Sequence, residues 1–251
     1  VRRGLPKLRT TYVEVLGAEA SYGPRSRRRD SREVVTKIVA EHDDRAALDI
    51  FSRELRTPII TMAPGNTGWF PGQPATGPVV RMFSFLLPKE QVGVSVRLAG
   101  ERWSVPVPVP AQSDAAPPAG PAAEPADDVG SDESVVELPL VRLAWARSGD
   151  KGDQVNIAVI AREPAYLPYL RRALTSERVR EFFAHDFAGA AEPRVERFDV
   201  PGINAVNFLL HEVLGGGGLA SVRLDAMGKG KAQQLLEFPV PVPRHIAEAL
   251  S

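Results

Sequence analysis

The chain has 251 residues, with 31 Lys plus Arg against 31 Asp plus Glu and no cysteine. That length suits one large or two small domains. The zero net charge supplies no global field for nucleic acid or an anionic membrane. The missing cysteines exclude disulfides, thiolate nucleophiles and cysteine-based metal sites. No window reaches the apolar length of a membrane-spanning helix, so a soluble, cytoplasmic chain is expected.

Val34–Val39, rich in β-branched residues, predicts a strand. Asp43 and Asp44 then supply caps for a helix whose apolar face is Ala47, Ile50, Phe51 and Leu55. The run Pro64–Gly68, followed by Trp69–Gly72, is dense in turn formers and predicts a loop. Val79–Leu87 reads as a buried strand. Val92, Val94, Val96 and Leu98 alternate as a half-buried strand, which turns at Ala99–Glu101 towards Trp103 and Val105. This is a meagre core for an independent domain over residues 1–110. Residues 111–137 are mostly Ala, Pro, Gly, small polar and acidic, with no basic residue, and predict a flexible linker.

Beyond the linker, over residues 138–251, the pattern is richer. Val141, Leu143 and Trp145 share one predicted strand face, and Val155, Ile157, Val159 and Ala161 another. Leu167, Leu170 and Leu174 repeat at helical spacing. Thr175 restarts a helix showing Val179, Phe182 and Phe183. Val195–Val200 predicts a strand, Ile203–Leu214 a helix, and Ser221–Asp225 and Leu235–Val242 the closing strands, with Pro239 and Pro241 fixing an edge. The expected fold is α+β, a ββαβαββ sandwich tethered to a partial mixed α/β N-terminal domain.

The stretch Ala146–Asn156 joins two strands through residues that are mostly charged or glycine. A hairpin needs only two such residues, so a ligand site is expected here. Glycines permit backbone N–H groups to converge on an anion, Arg147 and Lys151 add positive charge, and Asp150 and Asp153 orient them or hold a cation. The bland alternative is a solvated turn with internal ion pairs. Ser148 lacks a nucleophile elbow. Ala161 stands where a calcium loop beginning at Asp150 needs Glu.

Asn204, Asn207 and His211 fall on one face of the predicted helix, either hydrogen-bonded within the fold or facing a ligand. Gly215–Gly218 exceeds what a helix C-cap requires. Asp225–Lys231 is a second Gly/Lys loop, but Gly230 follows Lys229 where a phosphate loop has Ser or Thr. The four histidines show no metal-binding spacing, and no metal or cofactor is assigned.

The run Leu143–Asp153, with Asn156–Ile157 and Val159–Arg162, resembles the signature of the ferredoxin-like C-terminal domain of the acyclic terpene utilisation (AtuA) family. Leu174–Thr175, Val179, Glu196–Arg197 with Pro201, Asn204–Phe208, Leu214–Gly218, Asp225 with Gly228–Lys229, and Leu235–Pro243 follow in order. Val34–Leu55, Ala63–Gly68 and Phe83–Val92 resemble the end of the family's larger N-terminal domain, which implies a chain that is part of a longer one. The resemblance implies a cytoplasmic bacterial protein of acyclic-terpene and branched acyl-CoA catabolism. It transfers no catalytic residue.

The expected ligand is an acyl-CoA or another anionic carboxylate, with no nucleic-acid or membrane partner. The expected site is Arg147, Ser148, Asp150, Lys151, Asp153, Asn156, Asn204, Asn207, Gly216, Gly217, Asp225 and Lys229. The competing expectations are a non-catalytic assembly or regulatory module, forming a homo-oligomer or joining partner subunits, and a truncated product without its active-site domain.

Overall fold

A computed structural model describes residues 7–62, 64–67, 74–108 and 134–250. Most of the predicted linker, and Gly68–Gly72 of the predicted loop, lie outside the described residues.

The N-terminal part opens with β1 (Thr10–Leu16), antiparallel to β2 (Val35–Glu41) from Thr10 opposite Glu41 to Leu16 opposite Val35. Between them a 3-10 segment covers Ala20–Arg25. Helix α1 (Arg45–Glu54) starts at Asp44, whose carboxylate accepts the Ala46 N–H at 2.9 Å. After α2 (Arg56–Thr61), β3 (Val94–Leu98) and β4 (Glu101–Val105) form a hairpin. Both of its turn residues are left-handed, Ala99 at φ 51° and Gly100 at φ 87°, as the twist of a two-residue hairpin requires. The predicted buried strand Val79–Leu87 is neither: no strand forms there, and Phe83 and Leu86 are 85% and 100% exposed. The β3–β4 hairpin is likewise exposed along its whole length. Nothing described packs over these apolar residues, so their hydrophobicity is not matched by burial.

The C-terminal module carries nearly all of the core. Its elements are β5 (Val135–Pro139), β6 (Ala144–Lys151), β7 (Gln154–Ala161), α3 (Leu167–Ala173), α4 (Ser176–Phe182), β8 (Val195–Val200), β9 (Ala205–Leu210), α5 (Lys231–Leu235), β10 (Pro239–Pro243) and α6 (Arg244–Ala249). β5 begins inside the stretch read as linker, because it pairs antiparallel with β10. The four-stranded antiparallel sheet runs β6-β7-β9-β8. Its core face presents Val155, Ile157 and Val159 from β7 and Val206, Phe208 and Leu210 from β9, all sealed from water. Leu170, Leu174, Val179 and Phe183 close over them, and Thr175 caps α4 by accepting the Arg178 N–H. The module is ferredoxin-like and the fold is α+β.

Five expectations differ in detail. The predicted helix Ile203–Leu214 is strand β9, so Asn204, Asn207 and His211 do not line a helix. A short apolar run fits either period, and β7 and β8 on its two sides claim its backbone groups. The predicted strand Leu235–Val242 begins as the end of α5 and reaches extended form only at Pro239, while Ser221–Asp225 is a turn-rich loop. Val141, Leu143 and Trp145 do not share a face: a 3-10 turn over Leu140–Arg142 buries Leu143 and leaves Trp145 exposed. The stretch Ala146–Asn156 is mostly strand. The sheet reaches Lys151 opposite Gln154, and Gly152–Asp153 alone make the turn, with Gly152 at φ 69°.

Candidate functional site

The tip of the β6–β7 hairpin gathers three segments that are far apart in sequence. Asp153 Oδ1 accepts the backbone N–H groups of Leu214 at 3.1 Å and Gly216 at 2.9 Å, and its carbonyl accepts that of Val213. The Gly-rich loop therefore folds around a carboxylate of its own chain. Gly217 lies so close to the turn that a Cβ there would fall 2.3 Å from the Gly152 carbonyl oxygen. Asp153, Gly216 and Gly217, three of the expected ligand contacts, meet at this packing.

Ser148 does similar work for the second loop. It is buried, donates to the Gly228 carbonyl at 2.6 Å and accepts the Ala232 N–H at 2.9 Å. Asp225 closes the same loop on itself, one oxygen accepting Lys229 N–H at 2.7 Å and the other Gly230 N–H at 2.9 Å. The loop is thereby fixed against β6, and Lys229 is aimed.

The aim decides the electrostatics. Alternation puts Arg147, Gly149 and Lys151 on the face of β6 away from the core, spaced about 7 Å apart. Because Gly149 has no side chain, the Lys229 ammonium reaches round the free edge of β6 and sits 2.9 Å from where a Cβ would be. Lys229 Nζ also lies 3.3 Å from Asp150 Oδ1. The Asp150 carboxyl is held below the usual carboxylate range, first by its own backbone N–H and then by Lys229. Lys151 Nζ donates to the Asp150 carbonyl at 3.2 Å. Lys229 and Lys151 thus flank Asp150 at a solvent-facing strand edge, with Arg147 further along the same strand.

On the same sheet face, Asn156 Nδ2 donates to Asn207 Oδ1 at 2.5 Å. Beyond them, Gln154, His211, Glu196 and Arg194 form a connected polar row. Asn204 is not part of this group. It sits at the other end of β9 in a left-handed conformation, φ 50°, where its carbonyl accepts the Ala161 N–H. Among the described residues, no three His, Asp or Glu side chains are placed to hold a metal ion, and no helix is long and apolar enough to cross a membrane.

Residues 138–241, which contain this whole arrangement, match the model of the AtuA ferredoxin-like domain, and residues 1–98 match that of the acyclic terpene utilisation family protein AtuA. The chain belongs to the AtuA family. No curated protein and no solved structure matches it.

The two AtuA segments meet at a polar seam that sequence reasoning missed. Lys231 Nζ lies 2.6 Å from Asp186 Oδ2, and Arg223 donates to Asp186 Oδ1 at 3.3 Å and to the Asp186 carbonyl at 2.7 Å. From the N-terminal segment, Glu14 accepts the Leu224 N–H at 2.8 Å, Lys37 donates to the Val222 carbonyl at 2.7 Å, and Arg27 pairs with Glu237 at 3.2 Å. His185 Nε2 meets the Ser21 carbonyl at 3.1 Å, and its ring packs so tightly on Gly23 that a Cβ there would come within 2.4 Å. Burial pushes the His185 imidazole below its usual value, against the opposing pull of Asp186. Tyr12 is raised, first by burial and then by Glu14. The one sequence signal was Lys231 itself, a charge beside the buried Ala232 and Leu235 of a short helix.

Proposed function

We propose that this AtuA-family chain binds an acyl-CoA, or a related anionic carboxylate of acyclic-terpene and branched-acyl catabolism, along the β6 edge. The observation that supports the reading is the placing of Lys229 over Gly149, between Arg147 and Lys151. A phosphate or carboxylate resting on Gly149 meets three donors and little steric resistance. Ser148 and Asp225 act through Lys229 by fixing its loop, and Asp153 acts through the Gly-rich loop beside it. Asn156 and Asn207 lie one strand and two strands further in, as polar contacts for a carbonyl.

The test is calorimetric titration of the full chain with free CoA and with a branched acyl-CoA at two ionic strengths. Binding that weakens with salt and is lost together in Lys151→Ala and Lys229→Ala is the expected result. Unchanged affinity in both variants would remove the β6 edge from consideration.

A second reading, assembly, is favoured by the β3–β4 hairpin. Val94, Val96, Leu98, Trp103 and Val105 are all exposed, and their register places them on one face. That reading gives a homo-oligomer in light scattering which dissociates when Val96 and Trp103 become polar.

A further inference from the structure

Resting on the anion-binding reading of the β6 edge, we propose that this edge recognises CoA and its thioesters by their adenine nucleotide, with the adenine stacked on Trp145. The ligand is thereby narrowed from anionic carboxylates in general to a nucleotide-bearing one. Trp145 shares the outward face of β6 with Arg147, Gly149 and Lys151, because Ala144 and Ser148 on the alternate positions turn into the core. It is 52% exposed. Arg162 Nε donates to the Val141 carbonyl at 3.1 Å, and its guanidinium carbon lies 4.8 Å from the centre of the indole. The guanidinium steadies the ring while about half of the residue stays in water.

An indole and a guanidinium held against each other are a platform for a flat heteroaromatic ring. A purine adds to such a stack through its own π face, whichever of the two groups it covers. The sheet beside the indole suits this guest. Ile160, Ala205 and Val200 follow Trp145 in register across β7, β9 and β8, so this end of the outward face is apolar. The other end is polar, with Asn156, Gln154 and His211.

Spacing and charge connect the platform to the anion site. Arg147 stands about 7 Å along β6 from Trp145, and Gly149, with Lys229 over it, about 7 Å beyond Arg147. In CoA a single ribose separates the adenine from both the 3′-phosphate and the 5′-diphosphate. With the base on Trp145, one phosphate group falls beside Arg147 and the diphosphate continues to Gly149, Lys151 and Lys229. Arg147, Lys151, Arg162 and Lys229 outnumber Asp150, the one carboxylate of β6, so the row keeps a positive excess for several phosphate charges. A small branched carboxylate would use the Lys229 end and leave Trp145 untouched.

The full chain is titrated calorimetrically with CoA, with adenosine 3′,5′-bisphosphate and with 4′-phosphopantetheine, which lacks the adenosine. Trp145 is one of three tryptophans, so its fluorescence is read as the difference between the parent and Trp145→Phe. CoA and the bisphosphate should both bind and quench the Trp145 signal, whereas phosphopantetheine should not quench it. Trp145→Ala should weaken CoA binding roughly tenfold or more and leave phosphopantetheine binding as it was. That unchanged binding also shows that the variant is folded.

Equal CoA affinity in the parent and Trp145→Ala, with no quenching, overturns the adenine stack. If that affinity still falls in Lys229→Ala, the anion reading of β6 stands without it. Binding that needs Trp145 but neither Lys151 nor Lys229 supports the stack and removes the phosphates from the Lys229 end. No binding of CoA or of the bisphosphate overturns the proposal, and a branched carboxylate held through Lys229 would then remain as the ligand of the edge.

Discussion

Lys231 Nζ and Asp186 Oδ2 lie 2.6 Å apart, with the two side chains only 2% and 8% exposed. A charge pair taken this far from water keeps its place only while its partners are present. Breaking such a pair from one side commonly costs about 3–5 kcal/mol, because the surviving charge is stranded. Arg223 remains within 3.3 Å of Asp186, which places Lys231→Met at the lower end of that range. Urea unfolding of the full chain measures the loss. Lys231→Met combined with Asp186→Asn, which removes the stranded carboxylate, recovers a large part of it.

Ser148, expected as a ligand contact, fixes the Asp225–Lys231 loop and the start of α5 to β6. Its replacement by Ala leaves the Gly228 carbonyl and the Ala232 N–H without their partner in a buried place. The expected cost is about 1–3 kcal/mol. Because Lys229 is aimed by this loop, the proposed CoA binding should weaken in Ser148→Ala along with stability. An equal fall in stability with unaltered affinity would separate Lys229 from the loop that holds it.

The parts of the fold legible in the sequence are those where one period dominates. Val155, Ile157, Val159 and Ala161 alternate without ambiguity, and the strand they predict is present with the same buried face. Thr175 and Asp44 cap helices as read, because a cap is a local bond to an N–H two or three residues on. The failures are places where distant chain decides. Ala205–Leu210 is a strand because two neighbours flank it. Ala146–Asn156 looked like an elaborate loop because its glycines and charges belong to packing against Gly217 and Lys229, far along the chain. Asp150, Lys151 and Lys229 of the expected site lie together, whereas Asn204 does not join them. The seam around Asp186 offers only Lys231 as a local signal, since its members come from both AtuA segments.

Gly217→Ala tests the closest approach in the module. The residue sits at φ 70°, where an L side chain costs about 1–2 kcal/mol, and its Cβ would overlap the Gly152 carbonyl. The turn must retreat, and Asp153 loses its hold on Gly216. A total loss above about 2 kcal/mol is expected in chemical denaturation. Gly202→Ala meets nothing within 4 Å and serves as the control, with a change inside about 0.5 kcal/mol.

The docking of the N-terminal segment should weaken in acid through His185. Burial depresses its folded-state affinity for a proton, while the unfolded chain titrates near about 6.5. Above that value both states are neutral and the full stability is present. As pH falls towards the lower folded value, the unfolded state takes up a proton that the folded state refuses, and stability is lost over that window. The groups facing the ring are the Ser21 carbonyl, the Asp186 carboxylate, and the cations Arg25 and Lys231. Asp186 works against the effect and the two cations work with it, so the net direction is set by burial and the cations together. Stability measured between about pH 7.5 and 5.5 should fall, and His185→Gln should flatten that part of the profile. Proteolysis in the Arg25–Arg29 stretch should quicken over the same interval in the unaltered protein. If the profile of His185→Gln overlays that of the parent, the acid sensitivity lies with another group and His185 is a packing residue for Gly23.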